Sequence, residues 1–178
     1  MANDVVLYEG LHLYDWQKDE PLLVNWYSEM LTSGEHYQTF TPELRYLSTF
    51  LEFFKHPNRR LIYAADKGGI WFAFWIESHM SGAFFGLWGR ADRRASLTML
   101  KNLQACFYLA FKAVTVLIAV TKQPKLRTQL ERLGAQYGMT IPALWDGDSV
   151  EVYTMTRDQW NKRYAAYMAN KDNERKKQ

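Results

Sequence analysis

The sequence predicts an α/β fold, a mixed central sheet flanked by helices, with one extra helix at its C-terminal end. Three observations carry this. Apolar residues recur at helical spacing in Leu22–Leu31, Leu44–Phe54, Leu100–Phe111 and Leu126–Leu133. Arg60–Ala65 and Ile70–Ile76 flank the turn signal Asp66-Lys67-Gly68-Gly69, which reads as a hairpin. Val114–Val120 is a continuous apolar run after a helix, the pattern of a strand buried in a parallel pair.

Val5–Leu13 alternates loosely and predicts a first strand, broken near Gly10. Asp19-Glu20-Pro21 then supplies acidic residues and a proline suited to a helix start, and Ser33-Gly34 ends that helix. Thr41-Pro42 begins a second helix, which His56-Pro57 stops. Two helices thus follow the first strand before any second one.

The partner strand of the hairpin carries Trp71, Phe72, Phe74 and Trp75, bulky on both faces, which places it centrally in a covered sheet. Met80-Ser81-Gly82 leads into a third strand, Ala83–Trp88. A basic turn, Gly89-Arg90-Ala91-Asp92-Arg93-Arg94-Ala95, precedes the next helix. Pro124 opens another helix with Gly134 near its end, and Val150–Met155 is the last strand. Thr156 and Gln159 have capping-box spacing, and Trp160, Tyr164, Tyr167 and Met168 form one side of the final helix. The expected organisation is one domain over residues 1–155, then a helix and basic tail over 156–178.

At 178 residues the chain suits a single core. Its 16% aromatic content argues for a dense core or a large contact surface. No apolar run reaches the roughly 18 residues of a membrane span, and Met1-Ala2-Asn3-Asp4 lacks the basic and apolar regions of a signal peptide. Cys106 is the single cysteine, which excludes an internal disulfide and fits a reducing cytoplasm. His12, His36 and His56 show no metal-ligand spacing, so no metal site is expected. The net charge of +3 is modest and the basic residues are not gathered on one helix face, which argues against nucleic acid.

The order of strand, two helices, three antiparallel strands, helix, strand, helix and strand resembles the GNAT acyltransferase family, and the likeness covers about Leu7–Thr156. Two motif regions carry it. The family's phosphate loop reads Arg/Gln-x-x-Gly-x-Gly/Ala between a strand and a helix. Arg90 and Ala95 match its ends, while Arg93 stands at the middle glycine and Arg94 follows it. The second region is "TKQPKLRTQLERLGAQYG", in which Leu133-Gly134-Ala135 matches the family's helix ending and Gln123 stands near its asparagine. The position of the family's proton-donating tyrosine holds Leu130, leaving Tyr137 or Tyr153 as substitutes.

The resemblance implies acetyl-coenzyme A as cofactor, held by Arg90, Arg93, Arg94, Ala95 and Gln123. Independently of it, cations at a helix start oppose the helix dipole unless an anion sits among them, so the turn reads as a phosphate site or as a solvated basic loop. Glu77, at the end of the hairpin strand, is a candidate catalytic base, with His79 nearby, and Tyr153 is a candidate acid.

Two functions fit these residues. One is a non-catalytic protein of this fold that acts by binding a protein partner or a second copy, as the altered loop and the aromatic surplus suggest. A weaker similarity to GNAT-like phage virion proteins, through the basic turn and the "LGA" ending, would make it a virion component. The other is an active N-acyltransferase using acetyl-CoA.

Overall fold

The computed structural model describes residues 10–90, 92–94, 96–122, 124–145 and 147–165. Val5–Glu9 of the expected first strand, Tyr167 and Met168 of the last helix and the basic tail lie outside them. Thirteen elements follow in order: β1 His12–Leu13, α1 Trp16–Ser33, α2 His36–Thr39, a 3₁₀ turn Pro42–Arg45, α3 Leu47–Lys55, β2 Arg59–Asp66, β3 Gly69–His79, β4 Gly82–Gly89, α4 Leu97–Ala113, β5 Val116–Thr121, α5 Pro124–Leu133, β6 Gln136–Trp145 and β7 Asp148–Thr156. Residues 157–165 are helical and are called α6. The seven strands form one mixed sheet in the order β1-β2-β3-β4-β5-β7-β6.

Helix α1 begins five residues before Pro21, the expected start. The Asp15 carboxylate accepts from the Gln17 backbone N–H at 3.1 Å, and Asp19 accepts from the Asp15 N–H at 2.9 Å. This reciprocal cap fixes the helix end upstream and leaves Pro21 inside the helix. Gly34 ends it with φ 73°, a left-handed conformation that glycine adopts without a Cβ clash.

The second expected helix is divided. Thr41 makes no side-chain cap bond, and Tyr46 is extended between the 3₁₀ turn and α3. Two side chains hold this break. The Tyr27 hydroxyl donates to the Arg45 carbonyl, and the Thr49 hydroxyl reaches the Glu43 and Tyr46 carbonyls at 2.7 and 2.9 Å.

The two faces of the sheet are packed by different helices. On one face Phe72, Phe74, Phe85, Leu117, Ala119 and Tyr153 pack with α4, α5 and Trp160 of α6. On the other, Leu61, Tyr63, Ala73, Trp75 and Trp88 pack under α1, the 3₁₀ turn and α3, with Trp26 and Phe50 at the centre. Of the aromatics Trp71, Phe72, Phe74, Trp75, Phe84, Phe85 and Trp88 on β3 and β4, six are buried and Phe84 is exposed. Cys106 is fully buried in the α4 layer.

Strand β6 was not expected. Gly138 and Pro142 interrupt its alternation, and its register on β7 shifts twice. Asp146-Gly147 between it and Val150 is the hairpin signal that points to it. The capping box is present: the Thr156 N–H donates to Gln159 Oε1 at 2.8 Å and the Gln159 N–H to Thr156 Oγ1 at 3.2 Å. Among the described residues no helix is long and apolar enough to cross a membrane.

Candidate functional site

Strands β3 and β4 stay paired from His79/Gly82 to Phe72/Gly89, and β5 and β7 from Val116/Thr156 to Thr121/Glu151. The parallel pairing of β4 with β5 is shorter, running only from Gly82/Val116 to Phe85/Ala119. Beyond Phe85 and Ala119 the two strands part, each held by its outer neighbour. The sheet therefore has a gap that opens toward the basic loop.

The Arg90 N–H bonds the Trp71 carbonyl at 3.0 Å, so Leu87 and Gly89 turn their peptide groups the other way, into the gap. The Gly89 carbonyl accepts from Arg94 Nε at 2.8 Å. Arg94 is the basic side chain that reaches the edge of the gap.

All three arginines face carboxylates of this chain. Arg94 pairs with Glu35 Oε1, whose other oxygen accepts from the Trp88 indole N–H at 2.7 Å. Arg93 binds Asp66 at 2.6 Å and lies over the Trp71 ring at 5.1 Å. Arg90 lies 3.9 Å from Glu29 and 3.7 Å from Asp92, and donates to the Gly68 carbonyl at 3.4 Å. Asp66 is held below the usual carboxylate range, first by the Gly68 N–H and then by Arg93 and Arg90.

The four carboxylates offset these three arginines and the neighbouring Lys67, so the loop region has no net positive charge. A coenzyme pyrophosphate is held by backbone N–H donors and the positive end of a helix. Ser96 caps α4 and takes the Met99 N–H at 3.1 Å, one of the donors at that helix start. The described basic side chains of the loop are therefore already engaged within the chain. Ala95 and Gln123, also assigned to cofactor binding, lie outside the described residues.

A cavity of about 270 Å³ beside the loop is lined by Glu29, Ser33, Glu35, Trp88, Arg90 and Asp92. Trp88 belongs to the α1–α3 core layer and Arg93 turns to the β2–β3 hairpin.

Glu77 and Tyr153 are not brought together. Glu77 lies on the α1–α3 side, where Arg59 Nη2 donates to Glu77 Oε1 at 2.8 Å and His79 Nε2 stands 3.4 Å from the same oxygen. Tyr153 lies on the α4–α5 side, beside Ala119 at the apex of the gap. Its hydroxyl donates to Glu151 at 2.7 Å, and Arg127 stands 3.8 Å from that carboxylate. Burial, then the Glu151 bond, push its pKa up to about 12. Leu130 is core, and the Tyr137 hydroxyl is 2.8 Å from Thr140 Oγ1.

Sequence reading missed Glu29, Glu35 and Asp66 as partners of the loop. No local signal marks them, because Arg94 and Glu35 are 59 positions apart and Arg93 and Asp66 are 27 apart. Among the described residues no group of three or more His, Cys, Asp or Glu is placed to hold a metal ion.

No family model and no curated protein matches the sequence. Solved structures do match the fold. Spermidine N-acetyltransferase from Vibrio cholerae, in complex with CoA and spermine, aligns with a TM-score of 0.67 at 10% identity, over 86% of this chain and 99% of that one. Ribosomal-protein-S5-alanine acetyltransferase from Vibrio fischeri aligns at 0.65 and 13% identity, over 86% and 96%. The ribosomal L7/L12 α-N-protein acetyltransferase RimL, in complex with coenzyme A, aligns at 0.61 and 11% identity, over 86% and 97%. With its mixed seven-stranded sheet parted between β4 and β5, the chain has the fold of the GNAT acetyltransferases.

Proposed function

We propose that this protein uses the GNAT fold for binding rather than for acetyl transfer, with a protein partner or a second copy as its ligand. The observation that carries this is the pairing of each loop arginine with a carboxylate of the same chain. An incoming pyrophosphate would have to break those pairs and then meet four carboxylates. Exposed Phe84, Met80, Met139 and Leu144 offer apolar contact area of the kind that interface centres use. Nothing in this reading requires a virion.

Calorimetry with acetyl-CoA, paired with light scattering of the purified protein, tests it. The expected result is no saturable heat at millimolar ligand and a mass above that of one chain, or a partner retained from the native source. A micromolar acetyl-CoA isotherm on a monomer would overturn it.

A second reading, N-acyl transfer, is favoured by the parted β4 and β5. CoA is named in two of the matching structures. On that reading acetyl-CoA and an amine would together release free thiol, which a thiol reagent measures directly.

A further inference from the structure

His36 is the first residue of the one-turn helix α2, directly after Glu35. Its side chain is fully buried, and neither ring nitrogen has a hydrogen-bond partner. Four aromatic rings enclose it. Tyr27 meets it edge-on at 5.1 Å, Phe40 lies at 5.4 Å, Phe50 at 5.9 Å and Tyr37 at 6.0 Å. A buried imidazole with no acceptor is stable only while neutral.

Of the groups around it, the Leu44 carbonyl favours the charged ring and Arg45, from the 3₁₀ turn, opposes it to a smaller extent, so burial is what holds the ring neutral. Among the described residues, α1 and α2 turn the phenols Tyr27 and Tyr37 to the ring, and α3 presents Phe50. Glu35 is the adjacent carboxylate, but both its oxygens are engaged by Arg94 and Trp88.

We propose that the segment from Glu35 to Tyr46 is a proton-operated latch: neutral His36 keeps it docked and Glu35 clasped on the basic loop, and a charged His36 releases both. The coupling is covalent and short. A charged ring has to leave its aromatic cage to find water, and α2 has to shift with it. Glu35 begins that shift, so its contacts with Trp88 and Arg94 open together. Burial is the main cause that disfavours the charged ring, with Arg45 adding to it. A depressed value in the folded state makes docking strongest above the unfolded histidine value of about 6.5, and weaker as pH falls below it.

Hydrogen exchange read by mass spectrometry from pH 7.5 to 5, corrected for intrinsic rates, tests the latch. One coupled proton allows up to about 30-fold more opening between pH 7.5 and 5. That rise is expected in residues 35–46 and 88–94 and absent from β2 and β3. His36→Phe should flatten it. Glu35→Gln at pH 7.5 should loosen 88–94 while leaving 36–46 docked. A flat profile in the wild type, or a rise that survives in His36→Phe, would overturn the proposal. Should His36→Phe not fold, His36→Leu serves in its place, and ring NMR of the wild type gives an independent readout. A His36 ring that titrates near the unfolded histidine value of about 6.5 while exchange stays flat also overturns it.

Discussion

The indole of Trp75 covers the backbone of Gly86 so closely that a Cβ at Gly86 would stand 2.0 Å from Trp75 Cζ2 and 2.1 Å from Cε2. Gly86 is the first residue of β4 beyond the last pair with β5, so the ring lies at the apex of the gap on the α1–α3 side. Trp75 has little room to retreat, because Phe40 stacks on it at 4.8 Å and Trp26 meets it at 6.2 Å. Gly86→Ala should therefore cost about 1–3 kcal/mol or more through overpacking.

Gly89→Ala gives the contrast. Its Cβ would meet Met99 Cε at 2.4 Å and Sδ at 3.0 Å, the far end of a flexible side chain. The cost there should be the smaller of the two, and Met99→Ala should offset part of it. Urea midpoints of the three variants check the order. Equal losses at Gly86 and Gly89 would contradict the account of Trp75 as a fixed wall.

Removing the clasp at Glu35 should matter more than removing either partner of the Arg93–Asp66 pair. Asp66 and Arg93 are each more than a third exposed, and such pairs contribute about 0–1 kcal/mol. Glu35 is less exposed and accepts from both a guanidinium and an indole. Glu35→Ala leaves the Trp88 N–H, in a buried residue, without an acceptor, which costs about 1–3 kcal/mol. Denaturation of Glu35→Ala, Asp66→Ala and Arg93→Ala, each at low and high salt, gives the ranking. The loss at Asp66 and Arg93 should shrink in high salt, while the Trp88 part of the Glu35 loss should persist.

The readable parts of this fold were those written into neighbouring residues. Trp71–Ile76 shows bulky residues on both faces, and its strand is buried on both. Thr156 and Gln159 are three apart, and their box forms as spaced. Elsewhere local signals were overridden. Asp15 captures the start of α1 ahead of Pro21, and a tertiary bond from Tyr27 with local bonds from Thr49 holds Tyr46 extended where the apolar spacing asked for one helix. Strand β6 hides behind Gly138 and Pro142. At the candidate site the arginines were legible and their partners were not. Glu29, Glu35 and Asp66 reach the loop only because α1 and the hairpin are folded against β4.

The capping box should decide whether α6 stays docked. Trp160 is buried against Phe107 at 5.3 Å and Phe111 at 6.3 Å, one turn into the helix that Thr156 and Gln159 cap. Thr156→Ala removes one cap bond and should cost about 1 kcal/mol. Trp160→Ala removes the anchor and should cost about 3–5 kcal/mol. If α6 is an integral layer, both losses appear in one cooperative transition. A separate early transition in Trp160→Ala, with the main midpoint unmoved, would show that α6 docks on a domain already stable without it.

Alkaline titration separates the buried phenols from the rest. Tyr14, Tyr63 and Tyr153 are each pushed up to about 12, in every case chiefly by burial. For Tyr14 and Tyr63 the carboxylates Glu20 and Asp19 add to this, and for Tyr153 the bond to Glu151 does. A phenol raised above its unfolded value of about 10 contributes full stability below that pH and loses it as pH climbs toward 12. Phenolate absorbance should therefore show a late phase that contains Tyr14, Tyr63 and Tyr153, after any earlier rise, and that late phase should coincide with loss of near-UV circular dichroism. Tyr153→Phe should remove one chromophore from that phase. It should also cost about 1 kcal/mol for the lost bond to Glu151, whose carboxylate keeps Arg127 beside it. If the variant instead loses a chromophore from the early phase, the Tyr153 hydroxyl reaches water and the buried Glu151–Tyr153 contact is wrong.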